Sequence, residues 1–181
     1  IIVIEVARPD LPVADRNTFA DTDVRAAAKG LYVIRDFAAG PRHGYVVCQG
    51  AYATFNTVKV LSKLAQAGVN VKVLAAVSEE LFDRQPEAYR RSVLPVGAKQ
   101  DMMFVTGGTR RVWPLRNVGA QADDYSLTAD WDNQWLTGGL ESDVIAEAHL
   151  DPDSVFAGIK RFADDRTSRL RAQRAALESL E

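Results

Sequence analysis

The chain holds a single cysteine, Cys48, and only two histidines, His43 and His149, in 181 residues. One thiol excludes an internal disulfide framework, and no cluster of Cys and His has metal-ligand spacing. Charge of one sign is also lacking. Twenty-two basic residues face 24 acidic ones, for a net charge of −2, which leaves no electrostatic footprint for nucleic acid or an anionic membrane. Long apolar runs are missing too. The opening stretch IIVIEV is the length of a buried strand, too short for a membrane span or a signal-peptide core. With a reduced thiol and no such segment, a reducing cytosol is the expected compartment. No internal repeat or low-complexity tract is present.

What is there alternates. After the strand Ile1–Val6 comes a polar, Pro- and Asp-rich connector from Arg8 to Ala28, read as a linker rather than core. LYVIRDF and HGYVVCQG then predict two strands. Ala51 to Ala67 predicts an amphipathic helix with Phe55, Val58, Leu61 and Leu64 on its apolar stripe, and Gly68 closes it. VKVLAAV is apolar enough for a central parallel strand. Ser78 reads as an N-cap, with Glu79 and Glu80 at the positive end of the helix dipole. That helix breaks near Pro86, and a second one ends at Pro95. DMMFVTGG predicts another strand and YSLTAD a further one, followed by helices at Glu141–His149 and from Asp151, where Pro152 stands in the first turn.

Strands alternating with helices imply an α/β fold. The expectation is a three-layer doubly wound domain with a mostly parallel (mixed) sheet of about five strands, preceded by a detached strand and linker. The implied division is 1–28 for the detached strand and linker and 29–181 for the α/β domain.

Each chemical candidate has a bland rival. Cys48 ends a strand before a helix, where a thiol can be activated, but it reads better as a small buried hydrophobe. Gly107 and Gly108, followed by Arg110 and Arg111 and then an expected helix, resemble a phosphate cradle yet match no phosphate fingerprint; a tight turn is the expectation. The tryptophans of DWDNQW are either partner anchors or edge packing. The pairs Asp123/Asp124 and Asp164/Asp165 read as solvated faces.

A resemblance carries the reading further. SEELFDRQPEAYRRSVLP resembles the S-x-x-x-F-D-x-Q-x-x-x-Y-R-x-S-V-L-P segment of transketolases, with Ser78, Phe82, Asp83, Gln85, Tyr89, Arg90, Ser92, Val93, Leu94 and Pro95 in register. VIEVARPDLPV resembles the family's apolar strand leading into [ST]-R-Q-N-L-P. AKGLYVIRD resembles [AK]-x-G-[AG]-Y-V-L-x-D, and GVNVKVLAAVS its second C-terminal-domain strand.

The resemblance implies that Ile1–Val6 is the last strand of a middle, pyrimidine-binding domain, and that 29–181 is the C-terminal domain of a larger enzyme. Such enzymes use thiamin diphosphate and a divalent cation (Mg) to move a two-carbon ketol unit between sugar phosphates. The cofactor signature G-D-G…N is absent here, so this chain is expected to supply no cofactor ligand, no metal ligand and no catalytic residue, to be inactive alone, and to serve a structural or regulatory role. Its implied partners are the remaining domains of the parent, a homodimer. One residue is implied in substrate-phosphate binding: Arg8, at the place of the arginine in [ST]-R-Q-N-L-P. Two alternatives stand beside this reading. One is the C-terminal part of a homodimeric 2-oxoacid dehydrogenase of the pyruvate type. The other is a stand-alone α/β module binding a ligand at the strand ends near Gly50 and Gly107.

Overall fold

The computed structural model describes residues 10–129 and 138–179. The detached strand, Arg8 and the tryptophans of DWDNQW lie outside them.

Four strands form one sheet in the order β1-β3-β2-β4: β1 (Leu31–Arg35), β2 (Tyr45–Gln49), β3 (Lys72–Ala76) and β4 (Met102–Thr106). β2 runs parallel to both neighbours, whereas β1 is antiparallel to β3. The sheet is therefore mixed and mostly parallel, as expected. β3 and β4 are buried at every position, which is why VKVLAAV and DMMFV read as continuous apolar runs. Lys72, which opens β3, is 4% exposed. Its ammonium is satisfied by the Ser92 carbonyl at 3.0 Å and by Asp36 at 3.4 Å.

The fifth strand is a correction. YSLTAD contributes one parallel bridge, Val105 to Leu127, and no ladder. The reason is local competition. The Ser126 hydroxyl accepts from the Phe104 N–H at 2.9 Å, taking a donor that a strand backbone would have used. The bridge still blunts the β4 edge, and the N–H groups of Ala20 and Asp21 bind Ile34 and Val33 carbonyls on the outer edge of β1.

Helices cover both faces. On one lie α1 (Ala51–Gln66) and α6 (Pro152–Asp164), packed together over Val46, Cys48, Val73 and Val105. On the other lie α2 (Glu79–Asp83), α3 (Glu87–Val93) and the Trp113–Leu115 segment, over Leu31, Val47, Leu74 and Phe104. The short α4 (Gln121–Tyr125), α5 (Glu141–Glu147) and the terminal α7 (Arg166–Glu178) complete the described chain. Asp151 caps α6 with bonds from the Asp153 and Ser154 N–H groups.

Two further expectations are corrected. Of the predicted Phe55–Val58–Leu61–Leu64 stripe, Leu64 is buried and Val58 and Leu61 pack partly buried against the core, but the fully buried face of α1 is shifted to Ala53, Asn56, Thr57, Val60 and Leu64. Asn56 and Thr57 are admissible there because each is satisfied, by the Leu150 carbonyl at 2.8 Å and the Ala53 carbonyl at 2.7 Å. The connector also enters the core, burying Phe19 and Ala26. Arg16 lies over the Phe19 and Tyr32 rings.

The segments that carry the resemblance meet in space. Gly30, at φ +90°, brings its carbonyl to the N–H groups of Val77 and Ser78 at 2.7 and 3.1 Å. Tyr89 donates its hydroxyl to the Leu31 carbonyl at 2.7 Å, while its ring packs edge-on against Phe82 and under Lys29. Gln85, just past α2, donates back to the Leu81 carbonyl, and Ser92 donates to the Tyr89 carbonyl within α3. The long SEELFDRQPEAYRRSVLP pattern thus fastens two helices to the sheet.

Candidate functional site

β2 leads into α1 on one face of the sheet, and β3 leads into α2 on the other. Adjacent parallel strands whose connections depart to opposite faces leave a crevice at their carboxyl ends. A cleft of about 350 Å³ lies there, lined by Gln49, Ser78, Glu79, Glu80, Trp113 and Arg116 among others.

Ser78 caps α2, accepting from the Leu81 N–H at 3.2 Å, and its hydroxyl donates to Glu80 at 3.0 Å. Glu79 turns inward, its side chain 9% exposed. It receives Lys99 Nζ at 2.9 Å, Arg116 Nε at 2.8 Å and the Arg116 backbone N–H at 3.0 Å. Burial alone pushes this carboxyl up. The Arg116 N–H, the Lys99 ammonium and the Arg116 guanidinium outweigh it and hold Glu79 below the ordinary value of 4.5.

The sign of the pH dependence follows. A folded-state value below the unfolded one gives stability that is complete above the unfolded value and lost as the pH falls through the folded one. Glu79→Gln is expected to lower Tm at neutral pH and to converge with the parent chain as the pH falls through the lowered folded-state value of Glu79. Tm measured from pH 7 to 3 checks this; two curves that stay parallel to the acid end would show that Glu79 is not the group.

Opposite Glu79, Thr106 donates to Gln49 Oε1 at 2.9 Å and accepts from the Gly108 N–H at 2.9 Å. The Gly108 donor is thereby used within its own turn. The helix expected after it is a single turn, Arg110–Val112; Pro114 holds Trp113 in an extended conformation and stops the turn from continuing. The phosphate-cradle geometry therefore does not form. Arg110 comes within 3.9 Å of Asp123. Trp113 packs against Phe104 with ring centroids 4.8 Å apart, and its indole N–H is buried without a partner.

Cys48 lies in the core under α1 and α6, with no exposed surface. Burial pushes its thiol up to about 12, and a hydrogen bond with Thr57 offsets only part of that. His43 lies outside β2, and its Nδ1 accepts from the Asn70 N–H at 3.0 Å. Among the described residues, neither Cys48 nor His43 lines the cleft, and its inward carboxylate, Glu79, is paired with Lys99 and Arg116. Three of the four carboxylates read as solvated faces, Asp123, Asp124 and Asp164, are exposed, while Asp165 is half-buried and accepts from the Tyr125 hydroxyl at 3.0 Å. Sequence reasoning missed the Glu79–Lys99–Arg116 cluster, whose members stand 20 and 37 positions from Glu79; only the acidic start of α2 hinted at it.

With this geometry in place, comparison with known proteins is informative. Residues 30–128 match the family described as Transketolase-like TK C-terminal domain. The chain is similar to the chloroplastic transketolase of Zea mays, 29% identical over 90% of this chain and 23% of that one. It is also similar to transketolase 2 of Escherichia coli K12, at 38% over 70% of this chain and 19% of the relative. Among solved structures, transketolase from Leishmania mexicana superposes with a TM-score of 0.60 at 18% identity, over 82% of this chain and 20% of that one. A split-gene transketolase, described as an inactive beta4 tetramer, superposes at 0.50 with 12% identity, over 91% of this chain and 48% of that one. The chain thus spans about a fifth of the length of the curated relatives it matches.

Proposed function

We propose a function from one premise: the chain belongs to the transketolase-like C-terminal domain family. It is the C-terminal part of a larger thiamin-diphosphate-dependent enzyme that transfers a two-carbon ketol unit between sugar phosphates. This part is structural or regulatory and inactive alone, and the parent works as a homodimer in the cytosol. The division at residues 28 and 29 separates the end of the pyrimidine-binding domain and linker from the C-terminal domain.

The observation that carries the reading is the family match over residues 30–128. Its elements, Gly30, Ser78 and Tyr89, pack on one another around the sheet edge. The described residues do not fit a metal–diphosphate group. A hard divalent cation needs several free carboxylate or carbonyl oxygens, and the buried carboxylates are already committed, Glu79 to Lys99 and Arg116 and Asp101 to Arg166 and Arg169. The cofactor, thiamin diphosphate with a divalent cation, is assigned to the rest of the parent. Arg8 is the substrate-phosphate-binding residue assigned to this chain.

Calorimetry and a ketol-transfer assay test this together. The 181-residue chain should neither bind thiamin diphosphate with magnesium nor transfer ketol groups, whereas the complete parent should do both. Saturable, magnesium-dependent binding to the chain alone, or a parent inactive on ketose phosphates, would overturn it.

Among the described residues no helix is long and apolar enough to cross a membrane.

A further inference from the structure

The terminal helix α7 is fastened unlike any other. Its sequence, RTSRLRAQRAALE, buries one residue fully, and that residue is Arg169; Leu177 is 67% exposed. Arg169 Nη1 donates to Asp101 at 2.9 Å and its Nη2 to the Phe162 carbonyl at 3.0 Å. The guanidinium carbon stands 3.8 Å from the Phe162 ring centroid and 5.2 Å from that of Tyr125. Arg166 reaches the other oxygen of Asp101 at 2.7 Å, and Gln173 donates to the Gln100 carbonyl at 2.9 Å. Asp101 itself is held by the sheet, since its carbonyl accepts from the Tyr45 N–H at 2.9 Å. Gly44 leaves it room, because a Cβ there would lie 2.9 Å from Asp101 Oδ1.

A carboxylate, a backbone carbonyl and two aromatic rings make a socket for a planar guanidinium, whose two terminal nitrogens reach the Asp101 carboxylate and the Phe162 carbonyl while its plane lies over the rings; Nε is buried without a partner. Attachment of this kind differs from apolar docking. The attraction of a buried ion pair is largely offset by desolvation, and segments with few buried apolar contacts are the first to open. Asp165 alone separates α6 from α7.

We propose that Asp101, Phe162 and Tyr125 form a guanidinium socket and that α7 is a latch held in it by Arg169, opening as a unit about Asp165 while the four-stranded sheet stays folded. Hydrogen exchange of the 181-residue chain, read by mass spectrometry, tests it. Amides of α7 should exchange roughly ten-fold or more faster than those of β2 and β3 under native conditions. Arg169→Ala should accelerate α7 about ten-fold further and leave the strands within about two-fold. Arg169→Lys should behave like Arg169→Ala, because an ammonium neither forks nor stacks. Arg166→Ala, at a half-buried position, should give a smaller acceleration confined to α7. Equal exchange of α7 and the strands, or variants that accelerate every segment together, would overturn the latch; so would an Arg169→Ala chain that fails to fold, since the socket would then be integral to the sheet.

Discussion

Gly30→Ala should cost about 4 kcal/mol of stability, the sum of backbone strain and overpacking. The residue stands at φ +90°, where a side chain is strained whatever the space. Space is also lacking. A Cβ would meet the Ser78 carbonyl oxygen at 2.2 Å and the Phe82 nitrogen at 2.4 Å, both backbone atoms that no rotamer change moves aside. Relief would require parting β1 from the β3–α2 junction, which breaks the bonds from Val77 and Ser78 to the Gly30 carbonyl. For a domain whose total stability is of order 5–15 kcal/mol, such a loss removes much of the margin.

Gly97 supplies the control, because it too has positive φ, at +84° with ψ −13°, but nothing within 4 Å of an added Cβ. Gly97→Ala should therefore cost only the strain, about 1 kcal/mol. Urea unfolding of both variants gives the comparison. If the two losses agree within about 1 kcal/mol, the close approach at Gly30 is not what demands glycine, because the difference between them is the overpacking.

Gly30 also shows what the sequence discloses and what it hides. Read locally, it precedes a strand; only the resemblance to [AK]-x-G-[AG]-Y-V-L-x-D singled it out, and only the fold shows that the constraint is Ser78, which lies far along the chain. The elements themselves were legible. Glycine and proline punctuate the chain at Gly50, Gly68, Pro86 and Pro95, and two-sided burial turned β3 and β4 into plain apolar runs. Ser78 and Asp151 cap the helices that their positions predicted.

Pairing between distant polar groups was not legible, because hydrophobic periodicity is blind to it. Asn56 and Thr57 lie off the predicted apolar stripe and are buried, since each finds a carbonyl that the sequence does not display. Asp101 read as the polar start of a strand and proves to be the shared acceptor of Arg166 and Arg169. Ser126 sat inside an apparent strand and dissolved it by capturing an N–H. In each case a side chain competes with, or completes, the backbone hydrogen bonding that the pattern presumes. The cleft suffers the same blindness: its position follows from topology, whereas its charge state follows from three residues brought together by the fold.

Arg8 rests on sequence alone, outside the described residues, and its prediction is correspondingly specific. It follows an apolar stretch predicted to be a strand, and Pro9 biases its backbone towards an extended conformation that projects the side chain. A guanidinium at that place can pair with phosphate oxygens through two parallel hydrogen bonds. Pro9 and Asp10 stand where the family pattern has Gln and Asn, and a carboxylate two residues on is a competitor for the guanidinium that a bound phosphate would have to displace. A charge-assisted contact of this kind is worth about 1.5–3 kcal/mol. Arg8→Ala in the complete parent enzyme should therefore lower kcat/KM for phosphorylated sugars by about ten- to a hundred-fold. Unphosphorylated donors should be nearly unaffected, because the lost partner is the phosphate. Stability should also hold, since an arginine that serves a substrate is not part of the packed core. Arg8→Lys separates charge from geometry: an ammonium keeps the attraction and loses the fork, so it should recover part of the phosphate preference and not all of it. Steady-state kinetics on matched phosphorylated and unphosphorylated ketoses decides the matter. Equal losses on both substrate classes, or no loss on either, would place the phosphate anchor elsewhere and leave Arg8 a connector residue paired at the surface.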